Sequence, residues 1–183
     1  MNGIVIYKSK YGATARYAQW VSAELKLPYF GIDEIDSGDL NEYDFAVLGT
    51  SVYMGKMLIK KWLKNNLKGL GNKKIYLFVV CGTPLEQKDK LNSYITASVP
   101  EEIRNKCDIF FLPGKLKKEE LSWMDLVALK MGARAAKSSE VKKAMLTDYN
   151  KVKKENLAEL IVAVNSASVK SKQIIKEKIK VAS

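Results

Sequence analysis

The chain of 183 residues is long enough for one domain with a real hydrophobic core. Its 47% hydrophobic and 28% charged residues are typical of a folded globular protein, and no apolar run approaches the ~20 residues that span a bilayer. The absence of histidine excludes Ser-His and Cys-His catalytic pairs and most imidazole zinc sites.

The net charge of +11 is concentrated in two segments. Residues 115–154 carry 11 basic and 5 acidic side chains, and residues 170–183 carry 5 basic side chains and 1 acidic side chain. A nearly neutral body with two basic segments favours an anionic partner on one face, and a solvated lysine surface is the alternative.

The N-terminus bears on the location of the protein, and the cysteines bear on its chemistry. The chain starts directly with a strand pattern and has no basic leader or cleavage site, so we expect a cytoplasmic protein, with peripheral membrane attachment as the alternative. Cys81 and Cys107 lack C-x-x-C spacing, and we expect two buried thiols rather than a metal or dithiol site.

Short apolar runs alternate with helical patterns along the chain. Strands are predicted at 3–7, 28–33 (a weaker run), 44–49, 74–80 and 108–114, and helices through Tyr17, Ala18, Val21 and Leu25 and at 57–67, 86–97 and 152–164. The run at 74–80 is continuously apolar, which is typical of a strand covered on both faces. The alternation predicts an α/β fold with a doubly wound, five-stranded parallel sheet covered by helices on both faces. We expect one domain over 1–170 and a basic tail over 171–183.

Residues 115–148 are surplus to a minimal five-stranded unit and predict an extra basic helical segment. Five of its side chains form an apolar helix face, which we expect to pack on the body of the domain. The alternative is a helix that lies against lipid headgroups or covers a bulky apolar substrate. These five are Leu121, Met124, Leu126, Val127 and Met131.

Three loops that follow predicted strands have the composition of a ligand site. In a doubly wound sheet, ligands bind beyond the carboxyl ends of the strands. The first loop, Ser9 to Thr14, places small and hydroxyl residues before a helix, where free N–H groups and the helix dipole favour a phosphate. It lacks the Gly-Lys-Ser/Thr ending of a nucleotide P-loop, and Thr14 alone is equally consistent with a helix cap.

The second and third loops, 49–57 and 81–87, are rich in Gly, Thr and Ser. Tyr53 and Met54 add flat apolar groups that suit a planar heteroaromatic ring. A phosphate at the first loop and a ring between the other two predict a flavin mononucleotide (FMN) site. The candidate cofactor-binding residues are Ser9, Lys10, Tyr11, Gly12, Ala13, Thr14, Thr50, Ser51, Val52, Tyr53, Met54, Gly55, Lys56, Cys81, Gly82, Thr83 and Pro84.

These loops resemble those of the flavodoxin family, and the resemblance covers roughly residues 3–165. The family's phosphate loop is Thr/Ser-x-Thr-Gly-x-Thr, and residues 9–14 are Ser-Lys-Tyr-Gly-Ala-Thr, so that Tyr11 replaces the middle Thr. The resemblance implies the strand order 2-1-3-4-5. It also implies that the Met54–Gly55 peptide lies near the flavin N5, by similarity to the stretch Ser-x-Met-Gly-Asp, with Lys56 in place of the acid. A cation there would favour reduced flavin and raise the reduction potential.

Residues 114–132 resemble the extra helical segment of the menaquinone-dependent protoporphyrinogen dehydrogenases, a basic subgroup of that family. The resemblance implies an FMN-dependent oxidoreductase with a quinone acceptor and a large apolar anion, such as a porphyrinogen, as donor. The flavin would carry the chemistry, so no catalytic side chain and no metal are expected. The alternative is an electron carrier between protein partners, although such flavodoxins are typically acidic. A flavin-free receiver domain would need clustered acidic residues after the first strand and a phosphorylatable Asp after the third, and this sequence has neither there. No nucleic-acid-binding motif is present.

Overall fold

The computed structural model describes residues 2–36, 38–135 and 138–167. Its centre is a sheet of five parallel strands with one short antiparallel strand added. The strands are β1 (Gly3–Lys8), β2 (Tyr29–Gly31), β3 (Phe45–Tyr53), β4 (Lys56–Met57), β5 (Lys74–Cys81) and β6 (Cys107–Pro113), and a separate pair is formed by β7 (Lys115–Leu116) and β8 (Tyr149–Asn150). The order β2-β1-β3-β5-β6 is the predicted order 2-1-3-4-5 of the parallel strands, and the predicted fold class is confirmed.

Helices cover both faces of the sheet. Neighbouring residues of β1 belong to different buried clusters: Ile4 shares one with Leu91 of the later helices, whereas Val5 shares the other with Tyr17 and Leu160. Strand β5 is buried on both sides, as its continuous apolar run predicts. The helices are α1 (Ala13–Leu25), α2 (Lys60–Asn65), α3 (Leu67–Leu70), α4 (Lys88–Ser98), α5 (Glu101–Arg104), α6 (Trp123–Arg134), α7 (Ser139–Leu146) and α8 (residues 158–167).

The predicted helix over 57–67 is wrong at its start. Its first residue, Met57, belongs to β4, which pairs with the end of β3, so that the helix α2 begins only at Lys60. The chain also leaves helical geometry at Asn66, whose side-chain amide donates to the Trp62 carbonyl at 2.9 Å. Two short helices therefore replace one long helix.

Residues 115–150, which we call the insert, form a small unit beside the sheet. Strands β7 and β8 pair antiparallel, with Lys115 opposite Asn150 and Leu116 opposite Tyr149. Helices α6 and α7 lie between these strands in the chain. The β7–β8 pair therefore brings the two ends of the insert together at the edge of the domain.

The expectation that the apolar face of this segment packs on the domain is wrong for three of its five residues. Met124, Val127 and Met131 are exposed, and the relative exposure of Met131 is 64%. The other two residues of the face are partly buried. Helix α6 instead turns Asp125 and Ala133 inward, and the carboxylate of Asp125 is hydrogen-bonded to the first and second loops. The inner side of α6 therefore makes a polar contact with these loops, and three residues of the apolar face point outward.

No helix within the described ranges is both long enough and apolar enough to cross a bilayer. The predicted basic tail over 171–183 lies outside the described residues.

Candidate functional site

A cavity of about 360 Å³ lies at the carboxyl ends of β1, β3 and β5, between the sheet and the insert. Its position is the one that the topology of a doubly wound sheet favours for a ligand. The structure brings residues of all three candidate loops together at this cavity. The candidate residues that line it are Ser9, Lys10, Tyr11, Ala13, Thr14, Ser51, Val52, Tyr53, Met54, Cys81 and Gly82.

The first loop presents two buried hydroxyl groups without partners. Ser9 Oγ and Thr14 Oγ1 are both inaccessible to solvent, and neither has a hydrogen-bond partner among the described residues. A buried polar atom left unpaired costs about 1–3 kcal/mol, which a bound ligand could recover. Both residues line the cavity at the N-terminus of α1, where free N–H groups favour an anion.

Gly12, rather than Thr14, caps helix α1. Its φ of 80° is in the left-handed region that glycine adopts without strain, and no side chain caps the helix. The Thr14 side chain is 1% exposed. The simpler explanation of Thr14 as a helix cap therefore does not account for its buried hydroxyl.

The second loop is a tight hairpin between β3 and β4. Its central residues, Met54 and Gly55, have φ values of 48° and 75°, and two positive values are the mark of a type I′ turn. Met54 lines the cavity and is 71% exposed, whereas Gly55 and Lys56 do not line it.

Thr50 lies in the sheet and does not line the cavity. It is fully buried, and its Oγ1 accepts a hydrogen bond from the Ile59 N–H at 3.2 Å. This hydroxyl joins β3 to the start of α2, so the structure gives it a local structural partner.

The third loop divides between two cavities. Cys81 and Gly82 line the first, and Thr83 and Pro84 line a neighbouring cavity of about 700 Å³ that both Cys81 and Gly82 also border. Burial raises the pKa of the Cys81 thiol, which keeps it protonated. Gly82 lies so close to Tyr149 that any Cβ at this position would overlap the phenol oxygen.

The insert supplies the far wall of the cavity, although none of its residues was among the predicted site residues. Asp125 is a buried residue of this wall, and its side chain is 6% exposed. Its carboxylate accepts hydrogen bonds from the Tyr11 hydroxyl, from Tyr53 Oη at 2.5 Å and from Lys10 Nζ at 2.7 Å. The remaining insert residues in the wall are Lys115, Leu116, Lys117, Glu120, Leu121, Ala128, Leu129 and Tyr149.

The Ser-x-x-Asp spacing of Ser122 and Asp125 was the one sequence signal near this residue. That spacing predicts a capping box, in which the acid bonds back to the first residue. Ser122 does cap α6, since its Oγ accepts from the Asp125 N–H at 3.2 Å. The Ser122 N–H, however, donates to Tyr11 Oη at 3.3 Å, and the carboxylate of Asp125 reaches the first loop instead.

Lys10 holds a positive charge at the edge of the cavity. Its Nζ lies 3.7 Å from the centre of the Tyr53 ring, within the range of a cation–π contact. Burial acts to lower the pKa of Lys10, but hydrogen bonds to Asp125 and Tyr53 outweigh it, and the pKa is raised. Lys10 therefore remains a cation across the neutral range.

Comparison with known proteins yields a family match and several similar proteins. Residues 4–143 match the family model described as the flavodoxin domain. An uncharacterized protein of Methanocaldococcus jannaschii is 30% identical over 103 residues, covering 51% of this chain and 67% of that protein. A solved flavodoxin from the domain Archaea is 17% identical, with a TM-score of 0.45, over 66% of this chain and 88% of its own. A WrbA-like flavodoxin from Agrobacterium tumefaciens is 22% identical, with a TM-score of 0.45, and the match covers 78% of this chain and 97% of that protein.

Proposed function

The chain belongs to the flavodoxin domain family, and from that premise we propose that it is an FMN-dependent oxidoreductase that delivers electrons to a quinone. Membership of this family implies a flavin cofactor, typically FMN, and electron transfer. The observation that carries the assignment of the site is the pair of buried, unpartnered hydroxyls of Ser9 and Thr14. Two such groups at a helix N-terminus fit the phosphate of FMN.

The three loops divide the binding of FMN between them. Ser9, Thr14 and the first N–H groups of α1 would hold the phosphate, with the Lys10 ammonium nearby. Tyr53 of the second loop and Gly82 of the third loop line the same cavity and would bound the ring. When bound, the flavin supplies one- or two-electron redox chemistry, which the side chains of this site do not provide themselves.

The wall that the insert adds to the cavity supports an apolar electron acceptor. Four side chains of this wall are apolar, and such a surface suits a planar quinone better than a hydrated ion. The same segment is basic, which supports a bulky apolar anion such as a porphyrinogen as the donor. The four are Leu116, Leu121, Ala128 and Leu129.

The outer face of α6 supports peripheral attachment to an anionic membrane. Trp123, at 75% exposure, stands at the start of an exposed stripe with Met124, Val127 and Met131. An amphipathic helix with a tryptophan and flanking cations is typical of a membrane-surface helix. Replacing Val127 and Met131 by serine should weaken binding to vesicles that contain anionic lipid, as measured by co-sedimentation. Vesicles of zwitterionic lipid alone are the control, and equal binding of both proteins to anionic vesicles would contradict the attachment.

The test of the function is the anaerobic oxidation of the reduced FMN-loaded protein by a water-soluble quinone. We expect oxidation faster than that of free reduced FMN at the same concentration, because the protein positions the flavin at an apolar wall. A rate no faster than that of free FMN would contradict the enzyme and would leave the electron carrier between protein partners as the function.

Lys56 provides a separate test of how the protein sets the flavin potential. Lys56 is exposed in the hairpin of the second loop, and a cation there should favour reduced flavin through Coulomb attraction. We expect Lys56→Asp to lower the reduction potential, and the shift should shrink at high ionic strength. Lys61→Asp makes the same charge change at an exposed site on α2 and is the control. Equal potentials in Lys56→Asp and the unmodified protein would rule out the charge effect.

A further inference from the structure

Asp125 is a buried carboxylate inside a cavity that is predicted to receive an anion. It comes from α6 of the insert, and its partners Lys10 and Tyr11 are residues of the first loop. Its third partner, Tyr53, belongs to the second loop. One acidic side chain therefore connects the insert to both loops.

The other charged side chains of the cavity are paired among themselves. Lys115 Nζ lies 2.7 Å and Lys117 Nζ 3.4 Å from the Glu120 carboxylate. Among the residues that line the cavity, Lys10 and Asp125 form the remaining pair, at 2.7 Å. The polar ends of Lys10 and Tyr11, which the phosphate loop could offer to a ligand, are thus bonded to Asp125.

We propose that Asp125 is a specificity-determining residue whose carboxylate competes with the flavin phosphate for Lys10 and Tyr11. This inference rests on the proposed function, in which the phosphate of FMN binds to the first loop. A phosphate near these groups is repelled by the carboxylate and attracted by the ammonium, and both effects are stronger in a partly desolvated cavity than in water. Asp125 therefore lowers the affinity of the site for phosphorylated flavin but not for riboflavin, which has no phosphate.

A purely structural role for Asp125 predicts the opposite result. If the carboxylate only fastened the insert over the cavity, its loss would loosen the wall. The affinities for FMN and for riboflavin would then fall together, since both flavins share the ring. The sign of the change and its dependence on the phosphate separate the two roles.

The experiment compares FMN and riboflavin binding to the flavin-free full chain by fluorescence titration. We expect Asp125→Asn, which removes the charge but keeps the shape, to bind FMN on the order of tenfold more tightly. Its riboflavin affinity should change far less than its FMN affinity, because riboflavin lacks the phosphate, and the gain for FMN should decrease with added salt. Asp148→Asn is the matched control, since Asp148 is an insert carboxylate that pairs with Lys118 at 3.7 Å and does not line the cavity. It should change neither affinity.

Each other outcome counts against the proposal. Equal FMN affinity in Asp125→Asn, or a parallel loss of FMN and riboflavin binding, would overturn it. If Asp125→Asn does not fold, Asp125→Ala is the second variant, and failure of both to fold would assign Asp125 a structural role. An unmodified protein that binds neither flavin would instead remove the proposed function, and this inference with it.

Discussion

At the scale of single residues, the site depends on side chains that the fold leaves without partners. Thr50 and Thr14 are both buried threonines, but Thr50 Oγ1 is bonded to the Ile59 N–H and Thr14 Oγ1 has no partner among the described residues. A buried hydroxyl with a protein partner stabilises the fold, whereas one without a partner is available to a ligand. This difference assigns different roles to two residues of the same type.

Replacing Thr14 by valine tests the role of the unpartnered hydroxyl. We expect FMN binding to weaken by about 1.5–3 kcal/mol, because a hydrogen bond to a charged phosphate is lost. Riboflavin binding should not change. Fluorescence titration measures both affinities, and Thr96→Val, on the exposed side of α4, is the control. An unchanged FMN affinity in Thr14→Val would contradict the phosphate assignment.

Cys107 predicts a pH dependence of stability. Cys107 is a free cysteine that is partly exposed rather than fully buried as expected, whereas Cys81 is buried. Burial raises the pKa of the Cys107 thiol from 9.0 to about 12. Above pH 9 the unfolded chain loses this proton and the folded chain keeps it, so the free energy of unfolding falls as the pH rises toward 12.

Replacing Cys107 by alanine should remove this part of the pH dependence. Between pH 8 and 10 the free energy of unfolding should fall by about 1.4 kcal/mol less in Cys107→Ala than in the unmodified protein. Urea unfolding at the two pH values measures the difference. The same fall in both proteins would show that the thiol does not titrate in this way.

At the scale of elements, contacts from both α6 and β8 join the insert to the loops of the sheet. Asp125 of α6 bonds to the first and second loops, and Tyr149 of β8 packs against Gly82 of the third loop. A residue with a Cβ at position 82 would overlap the phenol oxygen of Tyr149, so that Tyr149 would have to shift. Each of the three loops is therefore in contact with the insert.

Replacing Gly82 by alanine tests the second of these contacts. We expect Gly82→Ala to displace Tyr149 and destabilise the protein by about 1–3 kcal/mol, as overpacking does. Adding Tyr149→Phe should restore most of the loss, since the added Cβ would then face the ring carbon Cζ at 3.5 Å. Urea unfolding of the two single variants and the double variant measures the coupling. Strictly additive effects would contradict the contact.

The sequence predicted those elements whose signal is local. The run at 74–80 is β5 and the pattern at 86–97 is α4, shifted by one or two residues, because their apolar residues repeat at the period of the element itself. Strand β4 was missed, since two residues form a strand only by pairing with β3.

The residues of the candidate site likewise fall into those that the local sequence predicted and those that it did not. Its loops were predicted because they follow strong strands, and most of the proposed residues line one cavity. Asp125 and Tyr149 were missed because they reach the cavity through contacts with residues distant in the chain. Such contacts depend on how the insert packs against the sheet. Nothing in the local sequence pattern around Asp125 or Tyr149 indicates which distant residues they contact.

At the scale of the whole molecule, the cavity lies between a nearly neutral body and a basic insert. The insert, residues 115–150, carries 8 basic and 5 acidic side chains and forms one wall of the cavity. Such a distribution raises the local concentration of anions at the site and should speed the association of FMN. It also places the exposed stripe of α6 on the helix whose inner side lines the cavity.

The most direct test of the central claim, that loop 9–14 binds the phosphate of a flavin, is the affinity of the flavin-free protein for FMN and for riboflavin. We predict one bound FMN per chain, with an affinity at least tenfold above that for riboflavin, because about 1.4 kcal/mol or more comes from the phosphate contacts. Equal affinities for the two flavins, or no binding of either, would contradict the account.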